Sequence, residues 1–501
     1  MTIFERVTRH AERCPGQTAL VWPGGRLDYA ALRRQIEAAM QVLRESAAEV
    51  LAIDLESGPA WVAIDIAAMQ LGICLVPLPA FFSAGQLLHV LRLTGAQAVI
   101  SDAPTRLRRR VGELLSNAET QCRVADQPLS WVETLASAGS RPRRIPGSVH
   151  KVTFTSGTTG EPKGVMLSWA QMVPVVRGLV DAVGMTANDR HLALMPLAVL
   201  LENIGGVYVS LWAGATLLLL PAHALGMSGS SGLDGRRMVQ ALDESQASTA
   251  IFTPQTLQGV VEALELSGNA RPGLRFAAVG GAPVSPRLLQ RAGASGLPVF
   301  EGYGLSECGS VVCLNTPAYN RPGSVGRPLP HVRLRITDEG EVVVAGQPFR
   351  GYLGEESRNG NEWHSGDLGE LDAEGYLYLR GRRRNVFITA YGRNVAPEWV
   401  ERELMLEPAI AQAAVFGEAR AHNTAVIVIS RGAAAPDVEA ALARVNRILP
   451  DYARVLSWVA ADRPFCVADG LLTGTGRIRR DAVQRRYRRD IESIYSEAQI
   501  P

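Results

Sequence analysis

The stretch KVTFTSGTTGEPKGVMLS, residues 151–168, places a run of small and hydroxylated residues between two β-rich segments. Residues 155–160 contain four hydroxyl groups and two glycines, and Lys163 follows. Glycines let a backbone approach an anion, amides and hydroxyls donate to phosphate oxygens, and an ammonium supplies a compact charge. The spacing is not that of the G-x-x-x-x-G-K-[ST] loop. The pattern therefore predicts a phosphate-binding loop of another kind, with a flexible surface loop as the alternative.

The composition indicates an ordinary globular protein. Of the 501 residues, 47% are hydrophobic and 20% are charged, at a length typical of at least two domains. The net charge of +2 gives no overall field to attract nucleic acid or an anionic membrane, so we expect neither as a partner. The start, MTIFERVTRHAERCPG, lacks the apolar core and cleavage site of a signal peptide, which favours a cytoplasmic protein.

The most apolar region, residues 192–221, is interrupted by Glu202, Asn203 and several glycines. This pattern predicts buried strand and helix, with no transmembrane segment.

The basic residues are strongly biased toward arginine. Of 51 lysines and arginines, only Lys151 and Lys163 are lysines. A retained lysine is therefore informative, whereas an arginine in place of an expected lysine is less so.

The six cysteines, at positions 14, 74, 122, 308, 313 and 466, show no paired spacing. Cys308 and Cys313 could form half of a metal site, but the sequence offers no second pair and no nearby histidine. The pattern favours free thiols in the cytosol.

The pattern of apolar runs predicts the fold class. From about residue 20 to 300, runs such as AEVLAIDL, AQAVIS, KVTFTS and LRFAAVGG alternate with stretches of helical period, which is typical of buried parallel strands joined by crossover helices. Residues 332–346 and 369–382 each show two alternating strands about a turn, as in an antiparallel sheet. From about residue 386 a small α+β unit follows, after the charged, hinge-like segment GRRRN, residues 381–385.

We therefore predict an α/β fold with two domains. The large N-terminal domain, residues 1–382, combines βαβ-type subdomains with an antiparallel β subdomain. The small α+β C-terminal domain, residues 383–501, is carried on the hinge.

Six stretches, in order, resemble the motifs of the adenylate-forming superfamily of acyl-CoA synthetases, luciferases and peptide-synthetase adenylation domains, and the chain is most similar to AMP-dependent acyl-CoA synthetases. The first, TFTSGTTGEPKGVMLS, resembles the phosphate-binding signature. The others resemble the adenine turn, the aromatic-glycine-hydroxyl-acid motif, the ribose motif, the motif opening the small domain and the final motif; they are VGGAPVSP (279–286), EGYGLSECG (301–309), WHSGDLGELDAEGYLYLRGR (363–382), YGRNVAPEWVE (391–401) and LLTGTGRIRR (471–480).

The resemblance implies a site for ATP and Mg²⁺, with coenzyme A as the expected co-substrate. The implied catalytic residues are Lys163, Ser306, which meets the α-phosphate, Glu307, which is the Mg²⁺ ligand, and Arg477. Tyr303 is expected to stack on adenine, with Gly302 and Gly304 making room, and Asp367 to accept from the ribose hydroxyls with the help of Arg382. The other implied nucleotide and cofactor contacts are Thr155, Ser156, Gly157, Thr158, Thr159, Gly160, Gly281, Ala282, Pro283, Glu301 and Gly392, the last bordering the pantetheine tunnel.

The implied reaction has two steps. A carboxylate attacks the α-phosphorus of ATP to form an acyl-adenylate and pyrophosphate; the small domain then swings about Arg384, and a thiol such as that of coenzyme A displaces AMP. The segment expected to line the acid pocket is LMPLAVLLENIGG (194–206), and it has Val199 where many fatty-acid relatives have histidine or an aromatic residue. The sequence also lacks an acidic anchor of the FDxS type. Both observations favour an apolar acid, fatty or aryl. Glu202 is open to two interpretations, an amine partner or a hydrogen-bonded structural residue.

Arg477 departs from the family pattern, which has lysine there. Three explanations are open: the arginine bias has changed an unimportant position, the arginine suits an altered substrate, or the protein has lost adenylation. We favour a working enzyme in which the arginine slows or retunes adenylation. The alternatives for function are a ligase that transfers to an acyl-carrier protein or an amine, and a non-catalytic or half-catalytic nucleotide-binding homologue. The basic stretch RIRRDAVQRRYRRD (477–490) could meet coenzyme A or an acidic carrier protein, or form a solvated helix face.

Overall fold

The computed structural model describes residues 1–135, 145–155, 162–228, 232–267, 272–346, 349–355, 360–473 and 476–497. The strands in these ranges are β1 Thr18–Trp22, β2 Gly25–Asp28, β3 Val50–Asp54, β4 Cys74–Pro77, β5 Ala98–Ser101, β6 Leu115–Val124, β7 Gln127–Thr134, β8 Lys151–Thr155, β9 Lys163–Leu167, β10 Arg190–Ala193, β11 Thr216–Leu219, β12 Met227–Ser228, β13 Gly232–Leu233, β14 Thr249–Phe252, β15 Phe276–Val279, β16 Val299–Leu305, β17 Ser310–Leu314, β18 Arg327–Pro328, β19 Arg333–Ile336, β20 Glu341–Ala345, β21 Glu362–Leu371, β22 Leu377–Arg382, β23 Phe387–Ile388, β24 Asn394–Val395, β25 Ile410–Phe416, β26 Asn423–Ile429 and β27 Val455–Ala460.

The α-helices are α1 Ile3–Arg13, α2 Tyr29–Glu45, α3 Pro59–Leu71, α4 Ala84–Thr94, α5 Pro104–Val111, α6 Trp169–Val183, α7 Leu200–Glu202, α8 Val209–Ala213, α9 Gly235–Glu244, α10 Pro254–Ser267, α11 Pro286–Ala294, α12 Pro397–Leu404, α13 Ala435–Ile448, α14 Arg480–Arg486 and α15 Arg488–Glu497. A π-helical turn, Asn203–Tyr208, joins α7 to α8, and 3₁₀ turns cover Gly112–Leu114, Ser306–Cys308 and Asp451–Ala453.

Two mixed sheets, each with parallel strands at its centre and antiparallel strands at its edges, form the bulk of the large domain. One has the order β6-β7-β5-β3-β4-β8-β9 and the other the order β18-β17-β16-β15-β14-β10-β11-β1-β2. Strands β3, β4 and β5 pair in parallel, as do β10, β11, β14, β15 and β16. Every residue of β4, β5, β11 and β14 is buried, which explains their uninterrupted apolar sequences.

The largest core cluster joins residues of α1, α2, α3, α6 and α8 with strands of both sheets. Helix α3 is buried from Pro59 to Met69 and, apart from Asp65, is apolar over that range, as expected of a helix enclosed between layers. The apolar region at 192–221 forms part of β10, α7, the π turn, α8 and β11, so it is buried strand and helix, as predicted. In the described part of the chain, no helix is long and apolar enough to cross a membrane.

The later part of the chain also agrees with the predicted fold class. Strands β19 to β22 form a four-stranded sheet with antiparallel pairing throughout. In the small domain, β25 pairs antiparallel with β26 and β26 parallel with β27. Helices α12 and α13 pack on one face of this sheet and α14 and α15 on the other, so the small domain has two apolar layers of its own.

Candidate active site

A large cleft lies between the two domains and collects residues that are distant in sequence. Ten of the residues singled out from the sequence line it: Gly281, Ala282, Pro283, Glu301, Gly302, Tyr303, Gly304, Asp367, Arg382 and Arg477. The first seven come from the carboxyl side of β15 and from β16, the next two from β21 and β22, and Arg477 from the small domain. The cleft is therefore built at the ends of parallel strands, where ligand sites of open α/β sheets usually lie.

The glycine-rich stretch connects two antiparallel strands, β8 and β9, in which Thr155 faces Lys163. Ser156, Gly157, Thr158, Thr159 and Gly160 lie outside the described residues. The Nζ atom of Lys163 lies 2.9 Å from Oε1 of Glu355 and 4.7 Å from the ring centre of Tyr352. This lysine is about half exposed, so its ammonium can exchange a protein carboxylate for an anionic ligand.

Glu307 lies on the 3₁₀ turn that also carries Ser306, directly after β16. Its Oε1 accepts a hydrogen bond of 2.6 Å from the hydroxyl of Tyr352. Among the described residues, no cluster of three or more histidine, cysteine or carboxylate side chains could hold a metal. A single carboxylate fits Mg²⁺, which commonly takes one or two protein carboxylates together with phosphate oxygens and water.

Asp367 connects the antiparallel sheet of the large domain to β16. Its Oδ1 lies 2.8 Å from Nε of Arg382, and its Oδ2 accepts a 2.6 Å hydrogen bond from the hydroxyl of Tyr303. The first contact follows from strand register, since Asp367 and Arg382 are directly paired on β21 and β22. Burial raises the pKa of Asp367, while Arg382 and the Tyr303 hydroxyl act in the opposite direction.

The glycines of β16 are explained by contacts within the sheet. A Cβ on Gly304 would come within 1.8 Å of the backbone oxygen of Ser310 on β17, and one on Gly302 within 3.2 Å of the backbone oxygen of Cys313. The missing side chains thus face the neighbouring strand. Both residues also line the cleft, and their role in making room for adenine stays a prediction.

Arg477 reaches across from the small domain to the turn after β15. Its guanidinium donates from Nε, at 3.0 Å, and from Nη2 to the backbone oxygen of Gly281. Desolvation by the cleft walls and the neighbouring Arg382 lower the pKa of Arg477, although part of the side chain touches solvent, while Asp367 and Glu307 act oppositely. Both carboxylates that we associate with nucleotide and metal therefore act on this guanidinium.

A buried contact between the domains holds this arrangement. The Oγ of Ser285, in the turn that carries Gly281, donates to Oε1 of Glu403 at 3.0 Å. Arg402 donates to the backbone oxygen of Val284 at 3.1 Å, and Leu406 packs in the core cluster of α9, α10 and α11. Hydrogen bonds and apolar packing thus seat the end of α12 on the large domain.

Five predicted residues are not among the described residues that line the cleft: Thr155, Lys163, Ser306, Glu307 and Gly392. Gly392 lies in the exposed turn between β23 and β24, with φ of +70°, and is not among the described residues that line the cleft. Arg384, on the hinge, lies at the rim of the cleft, and desolvation together with Arg382 lowers its pKa.

The segment expected to bind the acid contributes Leu194, Met195, Pro196 and Val199 to the cleft wall. Glu202 is fully buried behind them. Its Oε1 lies 2.9 Å from Nε2 of His191, and its Oε2 accepts from the amides of Leu194 and Met195. The hydrogen-bonded structural interpretation of Glu202 therefore holds, and the amine-partner interpretation does not.

The six cysteines are free thiols in the structure. Burial raises the pKa of Cys308 and of Cys313, which keeps both thiols protonated and poor metal ligands.

Tyr352 and Glu355 were not identified from the sequence. They lie on a segment that continues β9's sheet, because Leu353 donates to Gly164 and Met166 donates to Gly351. The only sequence signal is the aromatic pair Phe349 and Tyr352 beside a charged run, which does not by itself indicate a nucleotide site.

Comparisons with known proteins agree with this geometry. The model of the family described as AMP-binding enzyme matches residues 7–355, and that of the AMP-binding enzyme C-terminal domain matches residues 384–499. A 2-succinylbenzoate–CoA ligase of Bacillus mycoides is 32% identical over 66% of this chain and 72% of the relative, and a long-chain-fatty-acid–CoA ligase of Mycobacterium bovis is 26% identical over 87% and 86%.

Solved structures share the fold. The o-succinylbenzoate CoA synthetase of Bacillus subtilis, in complex with its acyl-adenylate, superposes with a TM-score of 0.76 at 22% identity, over 96% of this chain and 97% of that one. An anthranilate CoA ligase in complex with anthranoyl-AMP gives a TM-score of 0.78 at 18% identity, over 97% of both chains. With both parts of the chain matched, the protein belongs to the AMP-binding enzyme family, within the adenylate-forming superfamily.

Proposed function

We propose that this protein is an AMP-forming acid–CoA ligase. It activates an apolar carboxylic acid, fatty or aryl, with ATP and transfers the acyl group to the thiol of coenzyme A. The observation that carries the proposal is the meeting of Asp367, Arg382, Tyr303 and Arg477 in one interdomain cleft. Family membership and relatives named as CoA ligases support it.

Each of these residues has a proposed task. Asp367, held by Arg382 and Tyr303, accepts hydrogen bonds from the ribose hydroxyls, and the Tyr303 ring lies against adenine in the turn formed by Gly281, Ala282 and Pro283. Thr155 to Gly160 and Lys163 bind the phosphates, and Ser306 donates to the α-phosphate. Glu307 would hold Mg²⁺, which supplies positive charge to the phosphate oxygens when bound.

The first step forms one bond and breaks another. An oxygen of the substrate carboxylate bonds to the α-phosphorus, and the bond from that phosphorus to the bridging oxygen of pyrophosphate breaks. Lys163 and Arg477 offset the negative charge on the phosphate oxygens, an electrostatic contribution typical of phosphoryl and nucleotidyl transfer.

In the second step the sulfur of coenzyme A bonds to the acyl carbon, and the bond from that carbon to the AMP oxygen breaks. The thiol proton passes to solvent. Gly392 lies away from the described cleft lining, so its proposed place beside the pantetheine arm requires the small domain to move about Arg384.

We also propose a boundary between residues 382 and 383, so that residues 1–382 form the large domain and 383–501 the small one. Arg382 ends the last strand of the antiparallel sheet, and the C-terminal family model begins at residue 384. Because ATP and coenzyme A are cytoplasmic metabolites, we place the reaction in the cytoplasm. An acyl-carrier protein is an alternative thiol donor.

The apolar wall formed by Leu194, Met195, Pro196 and Val199 supports an apolar acid. Acid-dependent exchange of labelled pyrophosphate into ATP, over aliphatic, aromatic and amino acids, tests the first step, and coenzyme A-dependent release of AMP tests the second. We expect exchange with an aliphatic or aryl acid and no exchange with amino acids. ATP binding without exchange for any acid would instead favour a nucleotide-binding homologue.

A further inference from the structure

The segment 349–353 is held as an added strand on the edge of β9. Arg350 donates to the backbone oxygen of Met166, Met166 to that of Gly351, and Leu353 to that of Gly164. Val165 and Tyr352 form the antiparallel bridge between the two segments. The strand that begins with Lys163 thus determines the position of Tyr352.

The same segment is fastened to the turn that carries Glu307. The amide of Phe349 donates to the backbone oxygen of Glu307 at 2.8 Å. The buried ring of Phe349 packs edge-on against Tyr352 and Trp363, with ring centres 4.8 and 4.9 Å away. Backbone and aromatic contacts together leave the Tyr352 ring little freedom.

Tyr352 makes one contact with each of two proposed ATP-binding groups. Its hydroxyl donates to Oε1 of Glu307 at 2.6 Å, and its ring lies 4.7 Å from the ammonium of Lys163. Among the described residues, Oε2 of Glu307 accepts no hydrogen bond, so the hydroxyl occupies one carboxylate oxygen and leaves the other for a cation.

We propose that Tyr352 is a positioning residue that holds the Glu307 carboxylate in the orientation that binds Mg²⁺ with ATP. This inference rests on the proposed function. The tyrosine acts through Glu307 and does not itself touch the nucleotide. Its ring also lies 4.7 Å from the Lys163 ammonium, which keeps the phosphate cation near the metal carboxylate.

The test is a titration of ATP binding against Mg²⁺ by calorimetry, with purified full-length protein and its Tyr352→Phe variant. The variant keeps the ring and loses the hydroxyl. We expect the Mg²⁺ concentration for half-maximal enhancement of ATP binding to rise about tenfold, as a lost hydrogen bond to a charged group would produce. ATP binding without Mg²⁺ is expected to stay unchanged, because the ring still lies beside Lys163.

Tyr487→Phe is the matched control, since the Tyr487 hydroxyl also donates to a carboxylate, that of Asp462, and neither residue is among the described cleft lining. In the Glu307→Gln background the Tyr352→Phe effect should disappear, which a merely structural role would not produce. Melting temperatures identify any variant that fails to fold; in that case Glu307→Asp, which keeps the charge but withdraws the carboxylate from the Tyr352 hydroxyl, should raise the Mg²⁺ requirement in the same way, and an unchanged requirement would overturn the proposal.

An unchanged Mg²⁺ dependence in a folded Tyr352→Phe variant would overturn the positioning role and leave the proposed function intact. An equal effect with and without Glu307 would also overturn it. If ATP binding to the unaltered protein does not depend on Mg²⁺, the proposed function and this inference are both overturned.

Discussion

Arg477 and Gly281 lie on different domains, and the guanidinium of the first donates from two nitrogens to the backbone oxygen of the second. Gly281 has φ of +84° in the turn between β15 and α11, a conformation suited to glycine. A planar guanidinium makes such two-point contacts and an ammonium does not. The arginine therefore adds a contact between the domains that a lysine would lack.

Two substitutions of Arg477 distinguish the role of its contact with Gly281 from the role of its positive charge. We expect Arg477→Ala to slow acid-dependent pyrophosphate exchange by a factor on the order of 10²–10³, as for loss of one donor at a developing charge. Arg477→Lys is expected to exchange about tenfold faster than the unaltered protein, because the compact ammonium is not tied to Gly281. The control is Arg486→Lys, because Arg486 pairs with Asp462 and neither residue is among the described cleft lining. Equal slowing by alanine and lysine would show that the substrate requires the guanidinium itself.

Asp367→Asn weakens two contacts at once, with Arg382 and with the ribose. Hydrogen bonds to charged groups are worth about 1.5–3 kcal/mol, so we expect the KM for ATP to rise by about 10- to 100-fold. Steady-state kinetics at saturating acid measure the change. Asp372→Asn removes one of the two carboxylate partners of Arg321, outside the described cleft lining, and should leave KM unchanged. A normal KM in Asp367→Asn would remove this residue from the ribose site.

Glu355→Gln releases Lys163 from its carboxylate partner. Both side chains are about half exposed, and such pairs contribute about 0–1 kcal/mol. We therefore expect little change in melting temperature and a gain in ATP affinity of up to about fivefold, measured by calorimetry at low salt. The gain should shrink at high salt. Glu362→Gln, which loses an exposed contact with Arg335, serves as the control, and weaker ATP binding by Glu355→Gln would mean that Glu355 itself supports the site.

The second lysine of the chain is buried. Nζ of Lys151 lies 2.7 Å from Oδ1 of Asp65 and donates to Tyr208 and Asn203, with both charged side chains about 2% exposed or less. Removing one member of a buried pair costs about 3–5 kcal/mol, so Lys151→Met should lower the melting temperature strongly. The double variant Lys151→Met, Asp65→Leu should recover much of the loss, because no charge is left without a partner. A double variant no more stable than the single one would show that packing, and not charge, sets the effect.

Glu301 makes stability depend on pH. Burial raises the pKa of Glu301 to about 8, with Arg402 and the Val284 amide acting in the opposite direction. The folded protein thus keeps a proton that the unfolded chain releases above about pH 4.5, so this stabilisation is complete below that pH and is lost as the pH rises to about 8. The melting temperature of Glu301→Gln, relative to the unaltered protein, should rise between pH 5 and pH 8.5. Surface Glu12→Gln should show a constant difference, and a constant difference for Glu301→Gln would contradict the raised pKa.

The sequence by itself determined the fold class and the order of the motifs. Strands such as Ala98–Ser101 and Thr249–Phe252 are buried on both faces, so their apolar runs are visible without any knowledge of their partners. The alternation about the turn at Thr337–Gly340 likewise identifies an antiparallel pair. The residue types of the phosphate loop, Glu307, Asp367 and Arg477 could be singled out because their motifs are contiguous in the chain.

Only the tertiary structure decided what these residues contact. Tyr352 bonds to Glu307 and lies beside Lys163 because a short segment joins the edge of β9, and no local pattern encodes which edge a segment joins. Gly304 is glycine because β17 passes close to it. Lys151 contacts Asp65 because β8 pairs with β4 and α3 packs against them. Local periodicity reports burial, whereas register and packing between distant segments set the chemistry of the site.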